Sequence, residues 1–125
     1  MDVNRPDVVA EVAAAFEGYE RALVSGDNDA AVAFFWSDAR LVRFGLADEQ
    51  RGITELLEWR QRQGALPGRR LLDTTIATFG PDAAVVTTGF AYADGPVRGR
   101  QSQTWIRTAQ GWRIVAAHVS IMPAE

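Results

Sequence analysis

Apolar positions in the first part of the chain recur with helical spacing. Val8, Val12, Ala15 or Phe16, Tyr19 and Leu23 form one stripe, the pattern of a helix with one buried face. Asn4 or Asp7 can cap this helix, Pro6 suits its first turn, and Ser25-Gly26-Asp27 ends it. A shorter helix fits Asp29 to Phe35, followed by Trp36 and a break at Ser37-Asp38. Ala39 to Leu46 reads as a strand rich in Leu, Val and Phe, interrupted by Arg40 and Arg43. The turn-prone stretch Ala47-Asp48-Glu49-Gln50-Arg51-Gly52 leads into a third helix, Ile53 to about Gln63, with Ile53, Leu56, Leu57 and Arg60 on one side.

Beyond a loop marked by Gly64, Pro67 and Gly68 the pattern switches to strand. Arg70 to Thr78 and Ala83 to Ala93 flank the turn Phe79-Gly80-Pro81-Asp82. Asp94-Gly95-Pro96 turns the chain into two long strands within Arg98 to Met122, joined at Thr108-Ala109-Gln110-Gly111. Short turns favour antiparallel pairing. Helices followed by a run of strands predict one α+β domain, its three helices packed on one face of a strongly curved antiparallel sheet.

On the last strand Trp112, Ile114, Ala116, His118 and Ser120 share a parity, so His118 and Ser120 are expected to line a pocket. They do not read as a Ser–His catalytic pair, because neighbours two apart on a strand lie roughly 6.5–7 Å apart and point in parallel. A hydrogen-bonded structural histidine is the competing reading. On the preceding strand Arg100, Ser102, Thr104 and Ile106 form one face, and Gln101, Gln103, Trp105 and Arg107 the other. Ser102 and Thr104 are the small polar residues expected on a pocket wall; a bulge would invert that choice.

Composition narrows the chemistry. A chain of 125 residues, 47% hydrophobic, suffices for one globular domain with a real core. A net charge of -3 gives no field for nucleic acid or anionic lipid, and no apolar run approaches the roughly 20 residues that span a bilayer. With no hydrophobic signal region near the start, a cytoplasmic protein is the expectation. There is no Cys, all 13 basic residues are Arg, and His118 is the one histidine. Thiolate and Schiff-base chemistry are thereby excluded, and a metal or other cofactor is not expected. Most acids fall at helix-surface or turn positions, such as Glu17, Glu20, Asp48, Asp82 and Asp94; Asp38 and Glu58 are the exceptions. That disfavours isomerisation or dehydration driven by a carboxylate base.

The order helix, helix, strand, helix, then four long strands closing with GWRIVAAHVS resembles the nuclear-transport-factor-2-like (NTF2-like) superfamily. PDVVAEVAAAFEGYERALVSGD, FFWSDARLVRFG and GRQSQTWIRTAQGWRIVAAHVSIM resemble, more specifically, its AtzH-like group. The resemblance implies a cone-shaped α+β barrel that dimerises through the outer face of its sheet. It implies a decarboxylating amidohydrolase acting on a carboxylated urea, with allophanate as product, or an accessory partner of an amidase. The Tyr and Arg implicated in that group match Tyr19, in GYERAL, and Arg43, in RLVRFG. The segment from Glu49 to Gly68 matches less tightly.

Each of these residues has a plainer reading. Arg43 suits an exposed strand face or a salt bridge as well as an anion clamp, and the resemblance favours the clamp. Tyr19 fits a core stripe equally well; in a cone that stripe faces the cavity, and a phenol near a guanidinium can donate a proton. His118, Ser120, Ser102 and Thr104 are expected to orient the substrate. Arg60 is the candidate second anion contact, and Trp36, Trp59 and Phe90 are core or cavity wall. The implied ligand is a small anion, and the implied assembly a homodimer.

Overall fold

The computed structural model describes residues 1–123 apart from positions 65, 67 and 94. The loop assignment at Pro67 and the turn and surface assignments at Asp94 lie outside the described residues. Helix α1 (Pro6–Ser25) buries Val8, Val12, Phe16, Tyr19, Ala22 and Leu23, the stripe expected from spacing. It ends at Gly26, whose left-handed φ of 78° lets its N–H reach the carbonyls of Ala22 and Leu23. Its N-cap is Arg5, in place of Asn4 or Asp7. Asn4 instead accepts from the Thr78 backbone N–H at 2.8 Å and fixes the helix start to the sheet. Helix α2 (Asn28–Val32) is shorter than expected and is capped by Asp27, which accepts from the Ala30 N–H at 3.0 Å.

Strand β1 (Val42–Phe44) occupies only the middle of the segment read as strand. The stretch read as a turn contains strand β2 (Glu49–Arg51), paired antiparallel to β1 with Arg43 opposite Gln50. Helix α3 (Ile53–Gln61) follows. Strands β3 (Arg69–Phe79), β4 (Ala83–Tyr92), β5 (Arg98–Thr108) and β6 (Gly111–Met122) agree closely with the sequence pattern.

Among the described residues the strands form one sheet in the order β2-β1-β6-β5-β4-β3. All pairs are antiparallel except β1 with β6, which is parallel. The sheet is the expected antiparallel one with this single parallel pair, which arises because β2, α3 and three further strands, and not a hairpin, connect β1 to β6. The concave face packs Ala84, Val86, Trp105, Trp112 and Ile114 against α1, forming one core with Phe35, Leu41 and Leu56. At one end the core is closed by Glu11, which accepts from the Trp112 indole at 3.1 Å and from Arg107 at 2.5 Å. No helix among the described residues is long and apolar enough to cross a membrane.

Two bulges bend the sheet. In β3, Leu72 pairs with Gly89 and Thr75 with Thr87, so two residues face Thr88; Asp73 there takes a left-handed φ of 55°. In β6, Thr104 pairs with Ala116 but Trp105 with Ile114, leaving Val115 as the extra residue. Residues before and after Val115 therefore meet the two sheet faces with opposite parity.

Gly52 joins β2 to α3 with φ 89° and ψ 157°, a conformation restricted to glycine. A Cβ there would lie 3.2 Å from the Ala39 carbonyl oxygen. Gly52→Ala is expected to lower the urea-unfolding stability by about 1–3 kcal/mol, whereas Gly64→Ala, which meets nothing within 4 Å, leaves the midpoint in place.

Candidate active site

The wide end of the cone holds a cavity of about 370 Å³ whose wall includes Tyr19 of α1, Arg43 of β1, Arg60 of α3, Arg69 of β3, and Gln101 and Gln103 of β5. Its apolar wall includes Leu23, Phe35, Phe90, Ala117 and Val119. Tyr19 reaches it because it continues the buried stripe of α1, with its ring edge-on to Phe34 and Phe35 at 6.1 and 5.6 Å. Its hydroxyl has no hydrogen-bond partner among the described side chains. Burial pushes the phenol pKa above its ordinary value, and the positive charges of Arg60 and Arg43 only partly offset this. Tyr19 is therefore protonated at neutral pH.

The three arginines differ in how they are balanced. Arg43 donates through one nitrogen to Asp48 Oδ2 and Gln50 Oε1, both at 2.9 Å, and the Gln50 amide donates to the same Asp48 oxygen at 2.8 Å. Arg69 donates to both carboxylate oxygens of Glu20, at 2.7 and 3.3 Å, and to Gln101 Oε1 at 3.1 Å. Arg60, only 5% exposed, has no ion pair or side-chain hydrogen bond among the described residues. Burial lowers its pKa from the ordinary value, yet a guanidinium stays charged in proteins. Arg43 and Arg60 both stack on Trp59, their central carbons 4.4 and 4.6 Å from the ring centroid. Arg69 lies 4.4 Å over Phe90. Three guanidinium groups thus face two carboxylates, each already engaged.

Of the residues singled out from sequence, Tyr19, Arg43 and Arg60 come together here, with Trp59 and Phe90 on the wall. Trp36 does not: it lies in a separate groove with Ser37 and Arg113, under the guanidinium of Arg40 at 4.9 Å. Ser102 and Thr104 also lie outside, because the buried face of β5 is Gln101, Gln103 and Trp105. His118 and Ser120 are displaced by the Val115 bulge, which turns Ala117 and Val119 inward in their place. His118 packs instead against Phe44 on the outer face, at 5.6 Å.

Asp48 and Glu20, expected on the surface, stand beside the cavity arginines. Asp38, one of the two exceptions among the acids, pairs with exposed Arg40 at 2.9 Å, and Glu58, the other, lines an outer depression with Arg62. Arg69, Gln101 and Gln103 were missed. The signal for the glutamines was present in the alternation Gln101, Gln103, Trp105, which shares one face with a large core residue. Among the described residues no cluster of three or more His, Cys, Asp or Glu is arranged to hold a metal ion.

A curved sheet wrapped around α1 and closed over an internal cavity defines an NTF2-like α+β cone. The AtzH-like family profile matches residues 1–125, and the chain belongs to that family. It is similar to a cystatin-like fold protein from Burkholderia xenovorans, 49% identical over 98% of this chain and 99% of that one, with a TM-score of 0.93. It is also similar to a protein of unknown function from the DUF3225 family of Pectobacterium atrosepticum, 43% identical over 98% and 96% of the two chains, with a TM-score of 0.94. An NTF2-like superfamily protein from Salmonella enterica shares the fold at 24% identity, covering 96% of this chain and 94% of that one, with a TM-score of 0.76. No curated protein matches the sequence.

Burial opposes ionisation of Asp48, but the Gln50 hydrogen bond and the Arg43 charge outweigh it and hold its pKa below the ordinary carboxylate value. A depressed carboxylate contributes stability that is present above its unfolded pKa and lost as pH falls through its folded pKa. Asp48→Asn is therefore expected to be less stable than wild type at pH 7. The two unfolding midpoints should converge in acid, once pH is below the lowered folded pKa; a gap that persists there would place the contribution of Asp48 elsewhere.

Proposed function

We propose that the protein is a cofactor-independent decarboxylating amidohydrolase acting on a small carboxylated urea such as 1,3-dicarboxyurea, with allophanate as product. The observation that carries this reading is the charge arrangement of the cavity: a protonated phenol beside three buried guanidinium groups, one of them without a counter-ion among the described residues. A small carboxylated urea supplies the missing negative charge, and the arginines offset the cost of desolvating it. Arg43 and Arg60 hold its carboxylates. Tyr19 donates its proton to the urea nitrogen as the bond to the departing carboxylate carbon breaks. The bonding pair goes to nitrogen, carbon dioxide leaves, and water reprotonates the phenolate, which the neighbouring guanidinium charges stabilise meanwhile.

The buried wall favours this route over base-activated water attack. Asp48 is engaged by Arg43 and Gln50, and Glu20 by Arg69 and Gln101. Tyr19 is neutral and His118 lies on the other face of the sheet, so proton donation is the chemistry that these side chains support.

Carbon dioxide release from freshly generated 1,3-dicarboxyurea tests the proposal. Wild type is expected to accelerate it over the spontaneous rate, with Tyr19→Phe and Arg43→Ala each losing about 10²–10⁴-fold while keeping a native circular dichroism spectrum. Because Tyr19 acts protonated, the rate should hold through neutral pH and fall only above about pH 10. Folded wild type that gives no acceleration would overturn the reaction and leave a ligand-binding or amidase-accessory role.

The same reading includes a homodimer formed through the outer sheet face. Ser102, Thr104, His118 and Ser120 carry short or compact side chains there, next to the exposed apolar Phe44 and Met122. Light scattering at micromolar concentration should return twice the 13.7 kDa chain mass; a monomer mass rejects it.

A further inference from the structure

The cavity contains one more unspent polar group, and its orientation is fixed from behind. Gln103 is 3% exposed, and its Oε1 accepts from the Trp105 indole N–H at 3.1 Å. An indole nitrogen can only donate, so it must meet the amide oxygen and turn the NH₂ group the other way. That NH₂ has no partner among the described residues. Yet Thr78 Oγ1 is the only side-chain polar atom among them that is both sealed from solvent and unpartnered. The Gln103 NH₂ therefore opens on the cavity that Gln103 lines. Gln101, on the same face, differs: its oxygen is taken by Arg69 and its nitrogen by Glu20.

Register places Gln103 with respect to the anion clamp. Gln103 pairs with Ala117, and Ala117 with Arg43. The two polar side chains thus flank a methyl group across two strand spacings, about 10 Å at the backbone. Among the described residues, the buried side chains on this wall with an unspent donor are Arg43, Arg60, Arg69 and Gln103, and the Tyr19 phenol oxygen is the buried side-chain group there with no hydrogen bond that is able to accept; the half-buried Tyr92 phenol also lines the cavity. The acceptors Asp48 and Gln63 are half-buried residues of the rim.

We propose that Gln103, held in one orientation by Trp105, determines specificity by distinguishing a carboxylate end of the ligand from an amide end. The proposal rests on the reading of the cavity as a site for a small dicarboxylate, and deepens it. A carboxylate offers two acceptor oxygens to a wall of donors. A carboxamide offers one, and its NH₂ faces further donors, an unpaired arrangement that such sites reject strongly. Loss of carbon dioxide removes one such carboxylate altogether and leaves an N–H donor in its place. The wall thereby binds substrate in preference to product and promotes product release.

Glutarate, which retains two carboxylates at the spacing of 1,3-dicarboxyurea and cannot lose carbon dioxide by this route, is the probe, with its monoamide glutaramate for comparison. Tryptophan fluorescence, with Trp59 on the cavity wall, reads binding. Wild type should bind glutarate at least ~10-fold more tightly than glutaramate. Gln103→Glu should bring that ratio close to one. Trp105→Phe, which keeps an aromatic ring but lacks the N–H and so frees the amide to turn, should reduce it at least threefold; a merely structural role for Trp105 would weaken both ligands alike and leave the ratio intact. A wild-type ratio near one, a ratio unchanged in both variants, or no glutarate binding at millimolar concentration would overturn the proposal. Selective glutarate binding without turnover of 1,3-dicarboxyurea would sink the reaction and not the selectivity, and turnover without selectivity the reverse.

Discussion

Three guanidinium groups occupy one end of a cone whose other contents are mostly hydrocarbon, and much of the surrounding structure is what makes that tolerable. Like charges in a water-poor site repel and are costly to desolvate. The cost is met locally, by Asp48 on Arg43, Glu20 on Arg69, and the faces of Trp59 and Phe90. Backbone details serve the same end. A Cβ on Gly45 would strike the Asp48 carboxylate, and one on Gly99 would fall inside the Phe90 ring. Both glycines keep open the space in which an arginine's partner sits. Among the described residues Arg60 is left with an aromatic neighbour and no carboxylate, so the site as a whole still calls for an anion.

That imbalance also sets the character of Tyr19. Burial alone would make its phenolate very unfavourable, and the guanidinium charges pull in the opposite sense. The result is a group that rests protonated but has a stabilised conjugate base close at hand. A donor of this kind needs positive charge near it and no competing base, and the buried wall has both features. The same arrangement would serve poorly for abstracting a proton from carbon, which separates this cavity from the base-driven chemistry available to other cones.

Much of the fold was legible in the chain because its strongest patterns are long. The stripe on α1 and the alternation in β3 to β6 each extend over ten or more residues, and all are where periodicity puts them. Strand β2 was not legible, since Glu49, Gln50 and Arg51 have no apolar alternation; Gln50 is buried because Arg43 needs it. Tyr19 and Arg43 were found through family resemblance, their residue patterns alone being compatible with core and surface. The local pattern gives Glu20 and Asp48 as solvated because each acquires its partner from a distant strand or a tight turn that local sequence does not reveal.

The misplacement of His118, Ser120, Ser102 and Thr104 has a single physical origin on each strand. On β5 the small polar residues suggested a pocket wall, but Trp105 has to be inside, and parity then takes Gln103 and Gln101 with it. On β6 the parity set by Trp112 and Ile114 holds only as far as Val115, where one inserted residue exchanges the faces. Val115 has no residue signature of a bulge, being β-branched in a run of Ile, Val and Ala. Its effect on the chemistry is large nonetheless. With an unbroken strand, Ala116 would stand opposite Gln103 and His118 opposite Gln101, so an imidazole able to accept hydrogen bonds and act as a base would face the cavity, with the Ser120 hydroxyl beyond it opposite Gly99. With the bulge, Ala117 and Val119 take those places, the cavity floor is apolar, and the buried polar side chains that remain around it are almost entirely donors.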